Sequence, residues 1–456
     1  MNATPAATGQ LGRAAARLSP ALGLPTTATA PFCPAEVQGT VAVPAGGALS
    51  KRLVAVLGPA LLVAVGYMDP GNWATDIEAG SRLGADLLFV VIGSGLMAIF
   101  FQTLAARLGL AGLDLAQACR TRYGPRVRVA LWGLAELAII ATDVAEVLGA
   151  ALALKLLLRI PMAMGVGLTS LDLLLVLGLK GVGFRRVEAI ILALITVIAA
   201  SLMVNLALSP PSVEAVAAGL RPSLAKLAQP DALYLAVGII GATIMPHNLY
   251  LHSSIVQTRK VAPERRRDAL RLNTIDILGS LFVAMLVNGA ILMLAAAAFH
   301  AHGRTEVASI EDAYSLLAPV TGTALAGAVF AVGLLAAGQS STFTGTIAGQ
   351  VVLEGFLAIR IPCWQRRVVT RVVAVLPALA GVLWLGDGGV GPLLVFSQVV
   401  LAAQLPFALY PLIRITGDRA VMGALVTPAW LTGVAWALFA VLAAADVWLL
   451  AYTLHG

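Results

Sequence analysis

The sequence predicts an all-α integral membrane protein with eleven transmembrane helices, on three observations. Hydrophobic residues make up 59% of the 456 positions and charged residues 12%, about half the charge of an ordinary soluble chain. Apolar stretches long enough to cross a ~30 Å hydrocarbon core recur from Lys51 to the C-terminal end. The basic residues gather on one side of those stretches. A mean hydropathy of +0.91 leaves too little polar surface for water, which excludes a soluble enzyme, a nucleic-acid-binding domain and a disordered scaffold.

Residues 1–50 read as a disordered tail. They are rich in Ala, Pro, Thr and Gly, and Pro20, Pro25, Pro31 and Pro34 interrupt every run that could serve as a signal peptide. The spans follow at 53–68 (continuing past a break to 83), 87–109, 128–157, 162–179, 186–207, 232–256, 275–299, 321–344, 368–385, 390–413 and 429–454. Helices suit such runs because lipid offers no partner to an open backbone group. Residues 51–456 are expected to form one transmembrane domain, divided into repeats at about 51–210 and 230–414 plus the extra helix 429–454. If the tail is cytoplasmic, 24 of the 30 Lys and Arg fall on its side, including the run Arg259 to Arg271. That asymmetry puts the N-terminus inside and the C-terminus outside, and the membrane expected is the cell's inner membrane. The net charge of +7 is then a topology signal, with lipid headgroups and not nucleic acid as the anionic partner. Cys33, Cys119 and Cys363 lie far apart with no CxxC, so neither a disulfide framework nor a thiolate zinc site is indicated.

Two spans are interrupted in matching places. The first contains Asp69-Pro70-Gly71-Asn72 and the sixth Met245-Pro246-His247-Asn248, 176 residues apart and sharing the pattern X-Pro-x-Asn. Proline removes a donor and clashes with the preceding turn, so each helix should open there. Paired interruptions in two five-helix halves point to an inverted-repeat transporter with a site at the bilayer midplane; a proline kink without function is the alternative. Asp69 favours the site, because a lone carboxylate in hydrocarbon costs several kcal/mol and a cation would offset that. Asp69 offers charged oxygen, Asn72 an amide oxygen and Met245 a thioether, while opened backbone near Gly66 or Tyr67 and at Ala242 offers carbonyls. Sulfur beside oxygen favours Mn²⁺, Fe²⁺ or Cd²⁺ over Ca²⁺.

The runs DPGNWATDIEAGSRLGA, GATIMPHNLYLHSS and AAGQSSTFTGTIAGQVVLEGFL (336–357) resemble the Nramp family of proton-coupled divalent metal transporters, nearest to bacterial manganese/iron importers. The resemblance implies a LeuT-like five-plus-five fold with discontinuous first and sixth helices. It implies metal ligation by Asp69, Asn72, Met245 and the Ala242 carbonyl, a carbonyl contact at Gly66, and approach of Gln398 in some conformations. The cargo is then Mn²⁺ or Fe²⁺ with H⁺, and no resident cofactor is expected.

The third span carries Glu136, Asp143 and Glu146. At about 100° per residue, Asp143 lies about 20° and Glu146 about 80° from Glu136, so the three share a face. They form either a proton route or a structural cluster with Arg366 or Arg367; the resemblance assigns Asp143, Glu146 and one of those arginines to proton exit. His252, seven residues beyond Met245, either relays a proton or packs as a hydrogen-bonded residue. His247, inside the break, is expected to cap freed carbonyls. His300, His302 and His455 look solvated. Gly338-Gln339-Ser340-Ser341-Thr342 is either part of a cytoplasmic vestibule or a close-packing stripe. A cation-coupled amino-acid symporter on the same architecture is the rival reading; a membrane enzyme lacks HExxH and a placed GxSxG. The number of subunits is not legible.

Overall fold

Prolines fix several of the helix starts. In the computed structural model, which describes residues 38–455 apart from 45, 47, 172–183, 308 and 360–362, Pro59, Pro70, Pro125, Pro230 and Pro246 each open a helix, where a missing N–H has no intrahelical partner to lose. In chain order the helices are α1 (Leu49–Val56), α2 (Pro59–Gly66), α3 (Pro70–Leu83), α4 (Leu88–Ala111), α5 (Leu115–Arg122), α6 (Pro125–Leu158), α7 (Met162–Thr169), α8 (Phe184–Leu208), α9 (Val213–Gly219), α10 (Leu224–Leu227), α11 (Pro230–Thr243), α12 (Pro246–Ile255), α13 (Arg266–Ala298), α14 (Ile310–Thr321), α15 (Ala324–Leu357), α16 (Cys363–Leu385), α17 (Val390–Thr416), α18 (Arg419–Met422) and α19 (Ala429–His455). Among the described residues, nine stretches are long and apolar enough to cross a membrane. The first expected span is made of short pieces, and the end of the fourth, 172–179, lies outside the described residues.

The packing repeats itself between the halves. α4 packs on α13 and α6 on α15, and α3 meets α11. α8 lies against α15, α13 and α2, while α17 lies against α6, α4 and α11. Each contact has a counterpart in the other half, the arrangement of two five-helix repeats related by a pseudo-two-fold axis. The broken pairs α2/α3 and α11/α12 sit inside this cage. Large apolar side chains point outward from α13, α16 and α19, with Trp384 87% exposed, as a lipid-facing surface requires.

Three expectations need correction. The tail does not stay disordered to residue 50: β1 (Val41–Ala42) pairs in parallel with β2 (Arg259–Lys260), Val41 opposite Arg259, and α1 already starts at Leu49. The backbone there finds partners, Gly39 N–H donating to the Gln257 carbonyl at 2.9 Å. Second, the first span breaks twice. Gly58 takes φ +132°, a conformation that needs glycine, and Asp276 receives the Gly58 and Ala60 N–H groups at 3.2 and 3.1 Å, capping α2 from another helix. Third, the span expected at 321–344 runs on to Leu357. Its hydroxyls bond within their own helix, Ser340 and Ser341 donating to Ala337 and Thr342 to Gly338, so polar content does not end it. The same bonds, with Gly338 lodged against Ala150, favour the close-packing reading of 338–342.

Candidate cation site at the two helix breaks

Both breaks free a carbonyl for the same reason. A helical carbonyl bonds the N–H four residues on; Gly66 and Ala242 each find a proline there, Pro70 and Pro246. Gly66 O keeps only a long contact from Asp69 N, 3.4 Å. Ala242 O accepts from Asn72 Nδ2 at 3.0 Å. The same nitrogen donates to Asp69 Oδ1 at 2.8 Å, and Asn72 N donates to that oxygen at 2.8 Å. Asp69 therefore caps α3 while its other oxygen, Oδ2, has no partner.

The second half closes the arrangement. Met245 is the N-cap residue of α12 and fully buried. Asn248 Nδ2 approaches its sulfur at 3.5 Å, and the same amide lies against Gly66, where an added Cβ would overlap it. Gln398 is wedged against Gly71, held by Nε2 donating to Ser397 Oγ at 2.7 Å, with Oε1 unpartnered. Asp69, Asn72, Ala242, Met245 and Gln398 are all 0–1% exposed. Contacts thus join Asp69, Asn72 and Ala242 across the two breaks, bring Gly66 and Met245 to one amide, that of Asn248, and set Gln398 against Gly71. No cluster of three His, Cys, Asp or Glu suited to a metal occurs among the described residues; the set here is one carboxylate with amide, carbonyl and thioether groups.

The carboxyl face of α6 adjoins both breaks. Gly149 carries no Cβ where the Pro70 ring packs. Asp143 and Glu146 both reach Gly345 of α15, 3.1 Å from where its Cβ would stand. Arg366 lies one turn further, against Gly349, and is ion-paired with Glu136. Glu136 thus belongs to an ion pair. Arg367's side chain lies outside those described, and Arg371 turns instead to the Thr169 carbonyl at 3.2 Å. His247 does not cap a carbonyl; Nδ1 lies 3.4 Å from Thr142 Oγ1, beside Asp143. His252 Nδ1 pairs with Gln102 Oε1 at 2.9 Å, and Gln102 Nε2 donates to Tyr67 Oη at 2.8 Å. That contact sets the imidazole tautomer and leaves Nε2 unpartnered. His300, exposed as expected, is also tied by Nδ1 to the Ser81 carbonyl at 2.9 Å.

Sequence reasoning missed four polar residues here: Asn248, Gln102, Asn288, whose Nδ2 donates to Asn72 Oδ1 at 3.1 Å, and Asp76, 1% exposed. Their presence inside apolar spans, and for Asn248 its place in the X-Pro-x-Asn pattern, are the signals that could have flagged them.

The family model described as natural resistance-associated macrophage protein-like, or Nramp, matches residues 60–452. The chain is similar to the divalent metal cation transporter MntH 1 of Pseudomonas aeruginosa, 59% identical over 94% of this chain and 98% of that one. It is also similar to MntH of Ralstonia nicotianae, 58% identical over 95% and 99% of the two chains. A crystal structure of an Eremococcus coleocola manganese transporter variant superposes with a TM-score of 0.84 at 39% identity, covering 90% of this chain and 89% of that chain. Mhp1, a nucleobase-cation-symport-1 family transporter, shares the fold alone: TM-score 0.58 at 16% identity, over 86% and 80% of the chains.

Proposed function

This chain belongs to the Nramp family, and from that premise we propose that it imports divalent transition-metal ions, Mn²⁺ and Fe²⁺ with Cd²⁺ as a further cargo, across the plasma membrane with protons by alternating access. The coarser part, a multi-pass membrane protein of a metal-ion transport family, rests on the family match, the relatives and the apolar helices.

The observation that carries the reading is the place of the Asn72 amide nitrogen. It sits between a carboxylate oxygen and a freed carbonyl, where a positive centre would be held. A divalent ion entering between Asp69 and Ala242 O would displace that NH₂ group and recruit Asn72 Oδ1. The rotated amide then needs an acceptor, and Asn288 Oδ1 is buried and unpartnered. Met245 adds a polarisable sulfur that Ca²⁺ and Mg²⁺ do not reward. A fixed carboxylate in the site also argues against an amino-acid symporter, whose substrate would bring a carboxylate of its own.

Protons follow from the same chemistry. A cation entering beside an acidic group releases or excludes its proton, and Asp143 and Glu146 stand against α15 as the next acceptors. With basic loops inside, α3 leads outward from Asp69 and α2 inward. Inward positive charge gains ~2.3 kcal/mol per charge per 100 mV. The test is purified protein in liposomes, with Mn²⁺, Ca²⁺ and Mg²⁺ uptake and internal pH followed together. We expect Mn²⁺ entry with internal acidification and little Ca²⁺ entry; equal entry of Mn²⁺ and Ca²⁺, or none of either, would overturn the proposal.

A further inference from the structure

We propose that Asp76 and Asn288 form a second, oxygen-only cation station, on the outer side of the Asp69–Met245 site, where an incoming divalent ion pauses before it is sorted. The inference rests on the reading of the inner site as a metal site and adds a step to it.

α3 and α13 run side by side in the same direction. Asn72 bonds Asn288 at the lower end of their seam, and Gly80 meets the Leu292 carbonyl at the upper end, where any Cβ would overlap that oxygen. Asp76 falls midway, four residues from each, and at about 100° per residue it is turned about 40° from either. Its carboxyl therefore enters the same seam. It is 1% exposed and its Oδ2 has no hydrogen-bond partner; Asn288, 2% exposed, leaves Oδ1 unpartnered as well. Two buried acceptors in one apolar seam, one a carboxyl, are costly unless a cation or a proton joins them.

Asp76 does not belong to the inner site. Seven residues from Asp69 correspond to about 10 Å along a helix axis, whereas a divalent ion binds its oxygens at about 2.0–2.6 Å. One ion cannot bridge the two carboxyls, but an ion can move from one to the other. Asn288 touches both places, since its Nδ2 holds Asn72 and its Oδ1 is open. The donor chemistry also differs. The outer pair offers only oxygen, which suits Ca²⁺ and Mg²⁺ as well as Mn²⁺, with water completing the shell. Attraction and selection are thus divided: the outer carboxyl gathers divalent ions without choosing, and the sulfur below chooses.

The division predicts a specific inhibition. Ca²⁺ added outside should slow Mn²⁺ uptake competitively while entering little itself. Asp76→Asn, which keeps shape and loses charge, should raise the KM for Mn²⁺ about tenfold, the effect of one charged contact, hold kcat within about twofold and abolish the Ca²⁺ inhibition. Asp76→Glu should restore both. A wild-type KM and wild-type Ca²⁺ inhibition in Asp76→Asn would overturn the station and leave a permanently protonated carboxyl. So would a loss of kcat with KM unchanged, which would place Asp76 in the conformational step. Should Asp76→Asn not fold, the wild-type competition decides: noncompetitive or absent Ca²⁺ inhibition overturns the station. Failure of the inner-site reading looks different, because wild-type protein would then take up no Mn²⁺ at all.

Discussion

At the scale of single residues, the site depends on what lies four positions before each proline and on what one amide does. Met245→Ala removes the soft donor of the expected ligand set while leaving Asp69 and the carbonyls in place. Uptake of Ca²⁺ or Mg²⁺ should rise relative to Mn²⁺, and unchanged discrimination in a competition assay would remove the sulfur from the selectivity argument. Asn288 is a positioning residue in this scheme, since it must receive the rotated Asn72 amide. Asn288→Leu keeps volume and loses the acceptor, and outer partners of ligands typically weaken metal affinity about 10–100-fold when lost. Titration of Mn²⁺ binding should show that loss at unchanged melting temperature; a loss of stability with affinity intact would make Asn288 a packing residue. Asp69, Asn72, Met245 and Ala242 were legible in the sequence because a proline inside an apolar run is a local signal. Asn288 was not, because it acts on a residue from another helix and nothing near it in the chain announces it; Asn248 showed its place in the break but not its contact with Gly66 of the other half.

At the scale of elements, the helices that carry the site are held by close backbone approach and by caps. Gly149 admits the Pro70 ring at the first break, and Gly149→Ala would force α6 away from α3. Overpacking of this kind costs about 1–3 kcal/mol, so the variant should insert and melt lower, and it should transport poorly even where it is folded. Cap chemistry on the basic side of the protein is pH-sensitive. Asp114 caps α5 through Gln117 N at 2.7 Å, yet burial, with Glu354 a further but smaller cause, raises its carboxyl to about 7. The folded state then holds a proton that the unfolded chain has released, so stability present below about pH 4 is lost as pH climbs through 7. Asp114→Asn should flatten the fall in melting temperature between pH 5 and 8; an unaltered slope would show that another group sets it. Hydropathy located most of the elements but not all of their ends. The second break at Gly58 escaped notice because its cap, Asp276, lies on α13. The length of α15 escaped because hydroxyls that satisfy themselves within a helix read, in sequence, like the end of a span.

At the scale of the whole molecule, the proposed alternating access would need an inner closure that can open, and the contacts at the end of α1 offer a candidate fastening. Arg185 donates to the carbonyls of Val54, Ala55 and Leu57 at 2.8, 2.6 and 2.7 Å, and Arg259 to those of Val56 and Leu57, at 3.2 Å for the first. Two guanidiniums thus gather the last carbonyls of α1, the end of a helix dipole that favours positive charge. Glu188 holds both arginines, pairing with Arg259 at 2.8 Å and Arg185 at 3.0 Å. The tail strand adds a strap, since β1 pairs with the segment that carries Arg259. The Arg259 side chain is only 1% exposed, so Glu188→Gln leaves a buried charge without its partner, a defect that costs about 3–5 kcal/mol. An inward-open state, in which α1 swings away and water reaches Arg259, escapes that cost. The variant should therefore populate the inward-open state more than wild type, by at least about tenfold in the equilibrium. A cysteine placed at Ala55, in a background without the native cysteines, reads this directly. Its reaction with a membrane-impermeant thiol reagent from the inner side should quicken in Glu188→Gln, and equal rates in the two backgrounds would show that the closure is fastened elsewhere.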